Sequence, residues 1–205
     1  MLIHSVRQRG VTIIEMMIAI TIISILLMLA LPSMSTWLNN SQIRTAGETM
    51  LNGITLARAE ALHRNSTVRF QLTTSLDSSC ALSSMGTSWV VSLANPAGAC
   101  DTAPSDTTAP QIIQKKSGTE GSPRAQIAAN GGTTTIYFNG LGRPVNPGGV
   151  ATITQIDITN PTGGVCQHVD PANGPMRCLR ITISTGGESK MCDPAVTDNT
   201  DPRFC

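Results

Sequence analysis

The sequence predicts an α+β protein in which a long amino-terminal helix packs on an antiparallel β-sheet head. Three observations predict this fold class. Residues 11–31 form an almost uncharged apolar segment, an amphipathic helical pattern continues it through residues 32–65, and strand-like runs fill residues 66–205. All six cysteines lie beyond position 79, which predicts disulfide bonds in the head. Residues 1–10 form a short basic leader before these segments.

Charge and composition exclude several functional classes. The 205 residues include 14 Lys+Arg and 13 Asp+Glu, and charged residues make up 13% of the chain, against ~25% in an ordinary soluble domain. A net charge this close to zero excludes a protein that binds nucleic acid through bulk electrostatics. Aromatic residues are 3% of the chain, which argues against a base-stacking surface.

The apolar segment has the length of a membrane span, since about 20 apolar residues cross a ~30 Å hydrocarbon core. Arg7 and Arg9 precede it, and the next basic residue is Arg44. The positive-inside rule therefore predicts a cytoplasmic start and a head outside the inner membrane. A cleaved secretory signal fits poorly, because its apolar region is ~7–15 residues long and a small-residue cleavage site follows it.

Glu15 is the one charged residue in the apolar segment. A carboxylate in hydrocarbon costs ~2.5–3.5 kcal/mol or more, so it usually has a partner. Cleavage after Gly10 would give Val11 a free α-amine four residues before Glu15, in the same chain or a neighbouring one. The alternative is a glutamate near the membrane interface that reaches water by itself.

The run R-G-V-T-I-I-E-M-M-I-A-I-T-I-I-S-I-L, from Arg9 onward, resembles the class III signal of type IV pilins and type II secretion pseudopilins. The resemblance implies cleavage between Gly10 and Val11 by a prepilin peptidase, N-methylation of Val11 and packing of the helix into a filament core. It also implies an assembly role for Glu15, which would set subunit register. Pro32 lies where many pilins have a helix-kinking proline, which removes one backbone donor. Most relatives have phenylalanine where this chain has Val11.

The amphipathic pattern after the apolar segment predicts a helix face that packs on the head's own sheet. We expect the helix to end near residues 63–65, with Asn65 in the left-handed cap position. The buried face consists of Ile43, Ala46, Gly47, Met50, Ile54, Ala57 and Ala61.

Alternating or apolar runs predict strands around residues 68–72, 89–93, 111–113, 133–138, 150–159 and 178–184. Segments rich in glycine, proline and serine separate them, and residues 94–110 and 117–132 are expected to be long exposed loops.

The cysteines contain no C-x2-C pair, so a zinc site is poorly supported and disulfides are expected. Sequence cannot choose among the pairings open to six cysteines. Our expectation joins neighbours along the chain, as Cys80–Cys100, Cys166–Cys178 and Cys192–Cys205.

A second resemblance concerns the FimT/FimU and GspH branch of minor pilins. Its motifs are L-A-R-A-E-A-L-H-R-N before a Val-x-Phe strand, F-N-G-L-G-R at Phe138–Arg143, and C-D-P followed by the ending D-P-R-F-C. It implies a pilin-like fold with a GspH/FimT-like head. Alternatively, Gly140 and Gly142 serve only as turn glycines and Arg143 is a surface charge.

Neither an enzyme signature nor a cofactor motif is present, since G-x-S-x-G, H-E-x-x-H and the P-loop pattern are all missing. His63 and His168 stand apart and are read as solvated residues. Asp193, Asp198 and Asp201 form a weak candidate calcium site, against a plain polar loop closed by a disulfide.

Some FimT-type relatives act in DNA uptake, and the resemblance would place a Gly-Arg-x-Arg motif at Gly187–Lys190. Glu188 occupies the first arginine position, and a carboxylate repels phosphate. Lys190 keeps the positive sign but lacks the forked guanidinium. The candidate DNA contacts are Arg143, Arg177, Arg180, Lys190 and Arg203.

Taken together, the resemblances imply a minor pilin that primes assembly of a type IV pilus and joins its tip, with roles in twitching motility and adhesion. They imply a single-pass inner-membrane protein with a periplasmic head that later enters an extracellular pilus. Its partners would be the prepilin peptidase, other minor and major pilins, and the inner-membrane assembly platform. The alternatives are a GspH-type pseudopilin of type II secretion, a DNA-binding minor pilin of a competence pilus, and an enzyme or ordinary secreted protein.

Overall fold

A computed structural model describes residues 10–205, and for residues 29–33 it describes the backbone alone. The predicted leader, apart from Gly10, lies outside the described residues. The chain divides into two compact units, Met1–Trp37 and Leu38–Cys205. A single helix, α1, runs from Ile13 to Arg64 and contributes to both units.

In the first unit, two hydroxyl side chains of α1 form hydrogen bonds with backbone carbonyls of the same helix. The hydroxyl of Thr21 donates to the carbonyl of Ile18, and the hydroxyl of Ser24 donates to the carbonyl of Ile20, both at 2.8 Å. These bonds let hydroxyl groups lie in an apolar helix without an outside partner. Within the described part of the chain, no helix meets the length and hydropathy expected of a membrane span.

Asn65 ends α1 in the left-handed conformation, as the sequence predicts, with φ of 46°. The amide of Ser66 donates to the carbonyl of Ala61, and the amide of Asn65 donates to the carbonyl of Leu62, both at 3.3 Å. This pair of bonds is the Schellman motif, which satisfies carbonyls that the helix end would otherwise leave free.

The second unit contains two antiparallel sheets. In the five-stranded sheet, here called sheet A, the order is β3-β2-β1-β5-β6, and in the four-stranded sheet B it is β4-β7-β8-β9. The strands are β1 (Val68–Thr73), β2 (Ser88–Ser92), β3 (Ile112–Lys116), β4 (Gln126–Ala129), β5 (Thr135–Phe138), β6 (Pro144–Val145), β7 (Gln155–Thr159), β8 (Leu179–Ile183) and β9 (Ser189–Cys192).

The structure corrects the predicted strand positions in four places. Residues 117–132 are not one exposed loop, because β4 lies within them and its Ile127 is 2% exposed. The segment 150–154 is not strand, so β7 begins only at Gln155. The strands β6 and β9 were not predicted, because two and four residues are too short to establish an alternating pattern.

The helix packs on the sheets through the predicted face, and each of its large residues is at most 3% exposed. Gly53 permits the closest approach to sheet A, since an added Cβ would lie 2.8 Å from Cε2 of Phe70 and 3.0 Å from the Trp89 ring. The rings of Phe70 and Trp89 lie 5.8 Å apart between centroids. On sheet B, the sulfur of Met191 lies over Gly47. The helix therefore joins both sheets into one core.

The six cysteines form three disulfides between chain neighbours: Cys80–Cys100, Cys166–Cys178 and Cys192–Cys205. The first of them lies with Val90 and Ile112 in a second, smaller apolar cluster. The second lies in the main core cluster, so these two disulfides anchor their loops covalently at points that are also packed against apolar residues.

Candidate functional site

Thr12 caps the start of the apolar helix. Its hydroxyl oxygen accepts the amide of Glu15 at 3.3 Å, and its carbonyl accepts the amide of Met16 at 3.2 Å. Thr-x-x-Glu is the spacing of a capping box, and it puts the Glu15 carboxylate in the first turn, where the helix dipole favours negative charge. Sequence reasoning missed this role of Thr12, although the T-I-I-E spacing carried the signal.

The large apolar side chains of the first unit are exposed rather than packed against other residues of that unit. Ile13 is 84% exposed and Met28 is 79% exposed, and the large residues between them are more than half exposed. A soluble protein rarely exposes so much continuous apolar surface, so this segment needs lipid or protein around it. Glu15 is exposed on the same helix, with Gly10 and Val11 just before it.

The backbone of α1 is helical through position 32. The side chain of Pro32 lies outside the described residues, so the bend expected there stays a prediction.

The Phe138–Arg143 turn packs under the end of α1. Gly142 has φ of 69°, and an added Cβ there would lie 3.1 Å from the Leu62 side chain, which favours glycine on both counts. The side chain of Asn139 accepts the amides of Leu141 and Arg143, each at 3.0 Å, which closes the turn. The Phe138–Arg143 segment is therefore a structured turn that packs against the end of α1.

Arg58 connects α1 to two loops of the head. Its Nε donates to the carbonyl of Gly142 at 3.2 Å, and its Nη2 donates to the carbonyl of Gly186 at 3.3 Å. One guanidinium thus fixes the Phe138–Arg143 turn and the β8–β9 hairpin to the same helix face. No local sequence pattern reveals this contact, because the partners lie 84 and 128 residues away.

Replacing Arg58 with methionine should lower the free energy of unfolding by about 1–2 kcal/mol, since the part-buried carbonyl of Gly142 and the exposed carbonyl of Gly186 both lose a charged donor. Urea unfolding of the oxidised chain in detergent measures the change. Arg44→Met is the matched control, because the ion pair of Arg44 is with Glu48 one turn away on the same helix and its side chain is 74% exposed. Equal loss in the two variants would contradict the assigned role of Arg58.

The carboxylates of the carboxyl-terminal loop form their hydrogen bonds within that loop. Asp193 and Asp198 accept amides two residues further on, at 2.9 Å each. Asp201 pairs with Arg203 through two bonds of 2.7 and 3.1 Å, and this arginine lowers the pKa of Asp201 to about 2. Within the described chain no cluster of three or more histidine, cysteine or acidic residues is arranged for a metal ion. The geometry of the described residues therefore does not support a calcium site at Asp193, Asp198 and Asp201.

Three of the candidate DNA contacts have acceptors of their own. Nε of Arg180 donates to Asp157 at 2.6 Å, Nζ of Lys190 donates to the carbonyl of Phe204 at 2.9 Å, and Arg203 pairs with Asp201. The side chain of Arg143 is exposed on the turn described above. Arg177 is exposed as well. Carboxylates thus pair with Arg180 and Arg203, whereas the neutral acceptor of Lys190 leaves its charge in place. DNA binding stays an untested prediction. His63 and His168 are both exposed.

Comparison with known families gives two matches. Residues 46–187 match the family model described as type II transport protein GspH. Residues 6–31 match the prokaryotic N-terminal methylation motif, which covers Gly10, Val11 and Glu15. None of the curated proteins matches the chain.

Two crystal structures of the type IV minor pilin FimU from Pseudomonas aeruginosa strain PAO1 are similar to the chain. One has a TM-score of 0.43 at 12% identity, covering 76% of this chain and 97% of that one. The other has a TM-score of 0.47 at 11% identity, covering 77% and 92%.

Proposed function

Because the chain belongs to the GspH family of type II transport proteins, we propose that it is a subunit of a helical filament assembled from the inner membrane. Pilins and pseudopilins are structural proteins, and the chain is not an enzyme. The observation that carries the proposal is the pairing of a methylation-type amino terminus with a disulfide-bonded GspH head in one polypeptide.

The proposed processing begins at the leader. A prepilin peptidase cuts between Gly10 and Val11, and the new amine of Val11 is methylated. Gly10 suits such a cut, because a side chain at this position would obstruct a peptidase site that must accept extended backbone. The apolar helix then leaves the bilayer and packs among the helices of other pilins, where the carboxylate of Glu15 meets an amine and sets the register.

We assign the chain to the tip of a type IV pilus, where minor pilins prime assembly. The support is the sequence likeness to the FimT/FimU branch in the Phe138–Arg143 turn and in the tail closed by Cys192–Cys205. Its partners are the other minor and major pilins and the inner-membrane platform. The protein is membrane-inserted first and becomes part of an extracellular pilus afterwards.

The second candidate is a pseudopilin of the type II secretion system. It is favoured by the family whose model matches, which is named for type II transport. Both candidates use the same signal, helix and head, so they differ in the filament that the chain joins.

Deleting the gene separates the two candidates. The pilus assignment predicts that surface pili and twitching fall at least about tenfold while secreted enzymes stay at their normal level. Complementation with the intact gene should restore the pili, and gold-labelled antibody against the head should mark pilus ends. Loss of secretion with normal pili would reject the pilus assignment and favour the pseudopilin.

A further inference from the structure

A cleft opens on the face of sheet A that points away from the helix. Phe70 packs toward α1, and neighbouring residues of a strand point to opposite faces, so Arg69 points to the outer face. Tyr137 pairs directly with Arg69 and therefore shares that face. The cleft has a volume of about 430 Å³, within the ~300–1,000 Å³ of small-molecule sites, and Tyr137 and Thr135 of β5 line it.

The cleft is formed where a loop leaves the edge of β5 and returns to it. Val145 of β6 pairs with Tyr137, and the amide of Ile153 donates to the carbonyl of Thr135 at 3.1 Å. The residues between these two attachments include Val150, which lines the cleft. The loop is thus fixed to β5 at both ends, and the cleft has a defined shape.

The lining of the cleft is uncharged and combines hydroxyl groups with apolar surface. The hydroxyl oxygens of Thr134 and Thr135 lie 3.4 Å apart, so when one donates to the other, the second keeps its hydrogen for a ligand. Leu82, Val150 and the ring of Tyr137 supply the apolar surface. Such a lining matches a sugar, because a sugar ring presents hydroxyl groups at its edge and C–H groups on its faces.

Arg69 supplies one positive charge beside the cleft. Its Cζ lies 5.5 Å from the centroid of the Tyr137 ring, and the side chain forms no hydrogen bond or ion pair with any residue that the structure describes. Arg69 is half-buried, and Nε is its one nitrogen that is buried without a partner, so the two terminal nitrogens remain open to solvent. The guanidinium is therefore held by packing, with its fork free for an anion.

We propose that the cleft binds an acidic sugar of the hexuronic acid type. The carboxylate pairs with the terminal nitrogens of Arg69, whose fork matches its two oxygens, and the ring lies along Tyr137 and the threonine hydroxyls. One cation beside an uncharged lining balances one carboxylate, whereas a phosphate dianion would leave a negative charge uncompensated. The site lies within the head and does not depend on which filament the chain joins.

Isothermal titration calorimetry of the oxidised full chain in detergent tests this site. The probes are trigalacturonate and a hyaluronate tetrasaccharide, and the methyl ester of trigalacturonate is the control that keeps the rings and removes the charge. We expect at least one acidic probe to bind, and the ester to bind at least about tenfold more weakly than its acid, since a hydrogen bond to a charged group is lost.

Two variants assign the binding to this cleft. Arg69→Gln should weaken it at least about tenfold, whereas Arg44→Gln, on the helix at the other face of sheet A, should change it less than about twofold. Val150→Trp should weaken it at least about fivefold, because Val150 is 55% exposed and an indole there fills the cleft. Val169→Trp is the control at a similarly exposed valine that does not line the cleft.

Mass spectrometry first confirms three disulfides in each variant, and if Arg69→Gln fails this check, Val150→Trp carries the test. No heat of binding with either sugar up to about 10 mM overturns the proposal. Equal binding of the ester and the acid also overturns it, as does undiminished binding by Arg69→Gln or by Val150→Trp. Acetate or inorganic phosphate that binds as tightly as the sugars would reduce the site to a plain anion site and reject the sugar.

Discussion

Replacing Glu15 with alanine is expected to keep the chain out of filaments while leaving membrane insertion and leader cleavage intact. The carboxylate lies in the first turn of α1, four residues after the proposed new terminus at Val11. Its charge costs ~2.5–3.5 kcal/mol or more in hydrocarbon, and pairing with an amine in the filament offsets that cost. We expect the amount in sheared filaments to fall at least about tenfold relative to the cellular amount, as measured by immunoblotting.

Three further variants separate the charge from the helix cap. Glu15→Gln keeps the shape and removes the charge, so it should fail as alanine does. Thr12→Ala removes the hydroxyl that accepts the Glu15 amide, which costs the helix ~1 kcal/mol but keeps the carboxylate, so incorporation should persist. Glu48→Ala, on the exposed face of the same helix, is the matched control. Normal incorporation of Glu15→Ala would remove Glu15 from the mechanism.

Replacing Phe70 with alanine is expected to lower the free energy of unfolding by about 3–5 kcal/mol. Phe70 is fully buried, contacts Trp89 and lies directly against Gly53, so its loss leaves a cavity between the helix and sheet A. The surrounding backbone is held by the β1–β2 and β1–β5 ladders and has little freedom to close the gap.

Urea unfolding of the oxidised chain in detergent micelles measures this effect, followed by the fluorescence of Trp89 and Trp37. Phe204→Ala is the matched control, because Phe204 is 38% exposed in the carboxyl-terminal loop, and its loss should cost less than about 1 kcal/mol. If the two variants were equally stable, the helix–sheet contact would not be the centre of the core.

Periodicity explains why the helix was predictable and parts of the sheets were not. Ile43, Met50 and Ile54 recur at helical spacing over many turns, so the buried face could be read directly and each is at most 2% exposed. The strand β4 has one large apolar residue, Ile127, after a run rich in glycine and serine. A single buried side chain gives no alternation, and only pairing with β7 fixes that strand.

The parts of the candidate site that consist of contiguous motifs were predictable from the sequence. The spacing from Gly10 to Glu15 and the Phe138–Arg143 turn are contiguous motifs. The Arg58 bonds to Gly142 and Gly186, and the Asn40 bonds to Pro175 and Arg177, join segments more than 80 residues apart. Such contacts depend on how the sheets stack on the helix, which no local pattern records.

The amino terminus of the protein taken from purified filaments tests the central claim most directly. Intact mass and amino-terminal sequencing should find a chain that begins at Val11 and bears one methyl group. A filament-borne chain that still begins at Met1 would contradict processing. A mature protein that begins beyond residue 32 would contradict the whole account, because the helix that is proposed to build the filament would be gone.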